Sequence, residues 1–187
     1  MKKMMLMIFS LALAACAAKI PEKPDFPTSI PTTITAPTFT PSPSPEPCAF
    51  MEASSQLPEI SSKLLQSLKQ SGLHVESARA EAYGENCVNQ DGSIASFSAR
   101  ETDFYINITA PDIQNKSAMG SNLETILGVI AGYPIKDTPG PNPGYIGVNF
   151  TQDKQSLHLW FLRQKASNAL ANGVKGADLF TAVSNNP

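Results

Sequence analysis

Glu81, Glu85, Glu101 and Asp103, with Tyr83 and Tyr105 among them, are the residues of this chain whose types and spacing best suit chemistry. Glu81 and Tyr83 share parity along an extended chain, as do Glu101, Asp103 and Tyr105, so each run aims its set at one side. If the two runs pair, carboxylates and phenols gather on one face. Paired carboxylates divide the acid and base roles in glycoside hydrolysis, and as hard oxygen donors they can ligate Ca²⁺. Polar-out alternation on a solvated antiparallel sheet gives the same pattern, with Arg79 and Arg100 as cross-strand partners. The carboxylate group therefore stands as the catalytic alternative, and we assign no metal site and no cofactor.

Other signatures of catalysis are missing. The sequence holds no Gly-x-Ser-x-Gly elbow, no His-Glu-x-x-His and no Walker or dinucleotide glycine pattern. Ser61-Ser62-Lys63 falls on the polar side of a predicted helix. The two histidines, His74 and His158, are far apart and each starts or lies within a predicted strand. Aromatic side chains offer a second kind of site, because they carry large contact area at little entropic cost. Tyr83, Tyr105 and Trp160 form the candidate binding set. Trp160 shares parity with His158 and Leu162, opposite to Leu157, Leu159 and Phe161, so the pattern places it equally well in a core or on a surface.

The elements that must position these residues follow from periodicity. Leu57, Ile60, Leu64, Leu65 and Leu68 make one apolar stripe of a helix, with Ser54 or Ser55 as its cap and Gly72 as its stop. Extended runs over residues 74–88 and 94–109 flank the turn residues Asn89-Gln90-Asp91-Gly92, and Phe104, Ile106 and Ile108 share the buried side. Met119, Leu123, Ile126, Leu127 and Ile130 predict a second helix, ended by Gly132. A proline-rich loop spans 133–144, strands follow over 145–151 and 156–165, and a short helix closes the chain near 177–184. We expect an α+β fold of two layers: a four-stranded antiparallel sheet with two main helices on one face, in the order α-β-β-α-β-β.

The amino terminus carries an address. Lys2 and Lys3 precede an uncharged run from Met4 to Ala18, too short to span a bilayer and shaped like a secretory signal. Its ending, Leu13-Ala14-Ala15-Cys16, resembles the lipobox of bacterial lipoproteins. That resemblance implies removal of residues 1–15 and acylation of Cys16, palmitate among the acyl chains. It places the chain on the outer face of a membrane, the outer membrane where the host has one and Ala17 follows the cysteine. One acyl chain binds marginally, at about 0.8 kcal/mol per buried methylene, whereas two or more hold stably. An incidental cysteine within a signal cut elsewhere, for instance after Ala12-Leu13-Ala14, is the competing account.

Residues 16–47 then read as a tether. Proline recurs at Pro21, Pro24, Pro27, Pro31, Pro37, Pro41, Pro43, Pro45 and Pro47, interleaved with Thr and Ser. Proline removes an amide donor and fixes φ, which excludes helices and central strands. At about 3.1 Å per residue such a segment reaches up to roughly 90 Å when fully extended. Residues 48–187 are of the size of one domain. There ten Lys and Arg face thirteen Asp and Glu. This acidic balance argues against nucleic acid as a partner. Cys48 and Cys87, an even pair in an exported chain, predict a disulfide worth roughly 4 kcal/mol in the chain-entropy model.

Taken together, these features predict a membrane-anchored extracytoplasmic lipoprotein that displays a small non-enzymatic binding or assembly domain. Its partner would be an envelope protein or a cell-wall polymer. The alternative is an envelope polysaccharide hydrolase acting through Glu81, Glu85, Glu101 and Asp103.

Overall fold

Residues 75–88 and 94–109 alternate small or apolar with polar side chains, and a turn at Asn89–Ser93 folds them onto each other. The computed structural model describes residues Cys48–Asn185. The predicted signal peptide, Cys16 and the tether lie outside the described residues. The elements in chain order are β1 (Ala49–Gln56), α1 (Pro58–Gln70), β2 (Val75–Val88), β3 (Ile94–Thr109), α2 (Lys116–Ile130), a 3-10 turn (Ile135–Asp137), β4 (Tyr145–Gln152), β5 (Gln155–Leu162), α3 (Arg163–Ala171) and α4 (Gly176–Ser184). The fold class is α+β. Among the described residues no helix is long and apolar enough to cross a membrane.

One sheet holds all five strands in sequence order. Every neighbouring pair is antiparallel except β3 and β4, which run parallel. The core lies on one side of it, where Ala80, Phe104, Ile106, Ile108, Ile146, Val148, Phe150 and Phe161 meet Leu64 and Leu68 of α1, Met119, Leu123 and Ile126 of α2, and Leu179 of α4. Period-two alternation on the strands and a 3.6-residue stripe on the helices are the two patterns that let these faces close together.

The structure corrects the expected topology in three places. The sheet has five strands, not four, because residues 49–56 form β1. Ser54 and Ser55 accordingly lie in a strand and do not cap α1, whose N-cap is Leu57 with Pro58 in the first turn. Ser61 does the local hydrogen bonding instead: its Oγ donates to Leu57 O at 2.8 Å and accepts from Ala80 N at 2.8 Å. The sheet is mixed, not antiparallel throughout, since α2 carries the chain back before β4 begins, as in any crossover between parallel strands. The last strand ends at Leu162, and 163–171 form the additional helix α3, so among the described residues four helices and five strands replace the expected order α-β-β-α-β-β.

Arg163 explains that early stop. It is 7% exposed, and its Nη2 donates to the carbonyl oxygens of Ile130 and Tyr133, just where α2 ends. A cation there complements the negative end of the helix dipole. The proline-rich loop then closes the edge of β3 left bare beyond β4. Asn142 N donates to Arg100 O at 3.0 Å, Thr102 Oγ donates to Pro139 O at 2.7 Å, and Gly144, at φ 71°, comes so close to Thr102 O that a Cβ would lie 2.2 Å from it.

Candidate functional site

Among the described residues no helix covers the sheet face opposite the core, and strand register sorts its side chains into cross-strand rows. Ser77, Asn107, Asn149 and His158 form one row; Arg79, Tyr105, Gly147 and Trp160 form the next. Gln56, Glu81 and Asp103 follow, then Ser54, Tyr83 and Glu101, then Glu52, Glu85 and Ser98. The predicted site residues Glu81, Glu85, Glu101, Asp103, Tyr83, Tyr105 and Trp160 therefore all stand on this one face. Leu157, Leu159 and Phe161 take the core side, which resolves the choice their parity left open for Trp160.

An aromatic stack crosses the middle of the face. Tyr105 and Trp160 have ring centroids 5.3 Å apart at 33°, and Tyr145 stacks on Trp160 at 5.3 Å and 5°. The Arg79 guanidinium covers the other end, 4.1 Å from the Tyr105 ring centroid, while its Nε donates to Glu81 Oε1 at 2.9 Å. Gly147 makes room for the indole: a Cβ there would come within 2.8 Å of Trp160 Cε3 and Cζ3. Burial, with the Asp103 and Glu81 charges nearby, pushes the Tyr105 phenol above its ordinary value.

A second cluster sits nearer the Cys48–Cys87 end. The register between β2 and β3 shifts at Tyr83 and Gly84, which makes Arg100 the extra residue of a bulge. Simple alternation from Thr102 would send Arg100 to the core side; the bulge turns it outward instead. Its Nη1 lies 3.5 Å from Glu85 Oε1, its Nη2 3.6 Å from Glu52 Oε1, and its Cζ 5.2 Å from the Tyr83 ring centroid. Cys48 and Cys87 are bridged, with Cα atoms 5.3 Å apart, and the bond ties the start of β1 to β2.

The four carboxylates differ in environment. Glu81 accepts from Arg79 and from the Gln56 amide. Glu85 pairs with Arg100. Asp103 accepts from Tyr145 N at 2.7 Å, yet burial, reinforced by Glu101 and Glu81, pushes it up to about 6. Two carboxyls opposite each other across neighbouring strands are the raw material of glycoside hydrolysis. Asp103, however, is 5% exposed and faces the Gly144–Tyr145 backbone, which leaves no room to protonate a substrate oxygen. Among the described residues no three His, Cys, Asp or Glu side chains are grouped so as to hold a metal ion.

A cavity of about 350 Å³ opens on this face beside the stack, lined by Arg79, Tyr105, Asn107, Gly147, Asn149 and His158. None of the four carboxylates lines it. Sequence reasoning missed Asn107, Tyr145, Gly147, Asn149, Glu52 and the placement of His158. The alternation of β4 contained the signal for three of them, since inward Ile146, Val148 and Phe150 leave Tyr145, Gly147 and Asn149 outward. Glu52 had no such signal, because β1 itself was not anticipated. No protein-family model, curated protein or solved structure matches this chain.

Proposed function

We propose that the chain is a lipid-anchored extracytoplasmic binding or assembly module that holds an envelope partner, a protein or a cell-wall polymer, on its uncovered sheet face. The observation that carries this reading is that Tyr83, Tyr105 and Trp160 share that face, half-buried, instead of lying beneath the helices. Aromatic rings already locked against one another and against Arg79 lose little freedom when a partner arrives. The ending Leu13-Ala14-Ala15-Cys16 supports attachment at the outer face of a membrane, and the proline-rich tether supports display at a distance from it. The hydrolase alternative is the weaker reading, because its would-be acid, Asp103, is buried against backbone.

The test is capture from the native envelope by the full chain, extracted in detergent, with and without Tyr83→Ala and Tyr105→Ala together. Loss of the captured partner with an unchanged melting temperature is the expected result. A double variant that captures the same partner at the same yield refutes the surface. Intact-mass analysis of the same material shows whether Cys16 is the acylated first residue.

A further inference from the structure

The cavity beside the aromatic stack has a chemistry narrow enough to name a ligand class. We infer that it binds a neutral, hydroxyl-rich sugar ring of an oligosaccharide or polysaccharide. This rests on the binding-module reading and specifies its ligand.

Charge excludes the ionic classes first. Among the described residues the one Lys or Arg on the cavity wall, Arg79, already donates to Glu81 at 2.9 Å and lies over Tyr105, so its charge is balanced before any ligand arrives. A phosphate or carboxylate, which only accepts hydrogen bonds, is better served by unbalanced Lys or Arg. Among the described residues no carboxylate lines the cavity, so an ammonium or metal cation finds no counter-ion in its wall.

The polar groups that remain are Asn107, Asn149 and His158. Asn107 and Asn149 face each other across β3 and β4, and His158 faces Asn149 across β4 and β5. Each Asn amide both donates and accepts, and the His158 ring adds two nitrogens to the row. A sugar hydroxyl also does both, so a row of such groups can satisfy vicinal hydroxyls without placing two donors or two acceptors head to head. Asn107 is preset for this by its Nδ2 donating to Ser77 Oγ at 2.6 Å.

Shape supplies the last argument. The Trp160 indole fills the space over Gly147, so beside it the cavity is walled by the Gly147 backbone and by the Tyr105 ring. Sugars present C–H groups as well as hydroxyls and match a site with one amphipathic wall and one polar wall. At about 350 Å³ the space lies at the small end of ligand sites, suited to one or two rings. The same face continues on either side of it, so a longer chain has somewhere to run.

Trp160 is the only tryptophan, which provides a specific reporter. The full chain in detergent would be titrated with chitotetraose, cellotetraose and maltotetraose, and with tetragalacturonate and tetraglycine as the anionic and peptide arms. We expect a saturable change in the Trp160 fluorescence and indole N–H resonance with at least one neutral sugar. Asn149→Ala should weaken that binding about fivefold to tenfold, as loss of one or two hydrogen bonds does. Asn149→Asp, which keeps the volume and removes the amide donors, should do likewise, so the result does not hang on one variant's folding. Equal binding by both variants, saturation only by tetragalacturonate or tetraglycine, or no saturation by any neutral sugar up to about 10 mM, overturns the inference. If sugars fail while Tyr83→Ala with Tyr105→Ala still abolishes envelope capture, the ligand class falls and the binding reading survives. If both fail, both fall.

Discussion

Strand β3 passes through two regions that are held together by different forces. Its second part, Phe104 to Ile108, is flanked by β2 and β4 and backed by α1 and α2, and Phe104, Ile106 and Ile108 are buried to 1% exposure or less. Its first part, Ile94 to Ala99, belongs to a three-stranded ribbon with β1 and the end of β2. There Phe50, Met51 and Ile94 are 68%, 58% and 62% exposed. The reason lies in the path of the chain. β1 pairs only with Glu81–Val88, and where it leaves the sheet Leu57 N donates to Ala80 O and α1 takes over. Helix and edge strand thus share the length of β2 between them, so the part that has β1 lacks α1. One region is stabilised by burial; the other relies on its ladder, on Arg100 with Glu52 and Glu85, and on the disulfide.

Removing packing from the first region should have the largest effect. Phe104→Ala empties a site at the centre of the core, and a loss of about 3–5 kcal/mol in denaturant unfolding is expected. The ring at Phe50 serves as its control, since Phe50→Ala should change stability by no more than about 0.5 kcal/mol. Comparable losses at the two rings would mean that the ribbon has a core of its own.

Breaking the covalent link should rank second. Cys48 and Cys87 are 39 residues apart, and opening such a loop costs up to about 4 kcal/mol on the chain-entropy account, with 2–4 typical. The sharper readout is where the loss appears. Hydrogen exchange in Cys48→Ser with Cys87→Ser should accelerate in β1 and the end of β2 while Phe104–Ile108 stay protected. Uniform acceleration would show one cooperative unit instead of two.

Asp103 lies where the two regions meet, and its titration gives the smallest predicted effect. Folding raises its pKa from 3.8 to about 6, so the folded state binds the proton more tightly. Its charge therefore costs stability at all pH values above about 6, by up to about 3 kcal/mol, and the cost disappears as pH falls from 6 towards 4. Asp103→Asn keeps an acceptor for Tyr145 N. It should stabilise the chain near pH 7.5 and make little difference near pH 4, when unfolding is measured at both. A variant destabilised at pH 7.5 would mean that the carboxylate is favourably held in its charged form.

Legibility from sequence divides along the same line. In the packed region it was good: α1, α2 and α4 and the inward set Phe104, Ile106 and Ile108 are all marked by periodicity, because one face of each element is buried. The parity of Glu81, Tyr83, Glu101, Asp103 and Tyr105 likewise placed them on a common face. In the ribbon it was poor. Ala49–Gln56 is exposed on both sides and shows no apolar alternation, so nothing local marks it as a strand. Arg100 was misplaced for a related reason, since a bulge is a mismatch between two strands and neither strand displays it alone.

By itself, then, the order of residues determined the α+β class, the main helices and strands, the cysteine pairing and which side chains could share a face. These depend on the chain's own periodicity and on a redox argument that needs no coordinates. Only the tertiary structure decided that β3 and β4 run parallel, that Arg163 ends β5 by reaching the carbonyls at the end of α2, that Trp160 joins Tyr105 and Tyr145 on the uncovered side over Gly147, and that a cavity lies beside them. Each of these is a contact between residues far apart in the chain. Its free energy exists only once both partners are held in place, and the local pattern on either partner is compatible with more than one outcome.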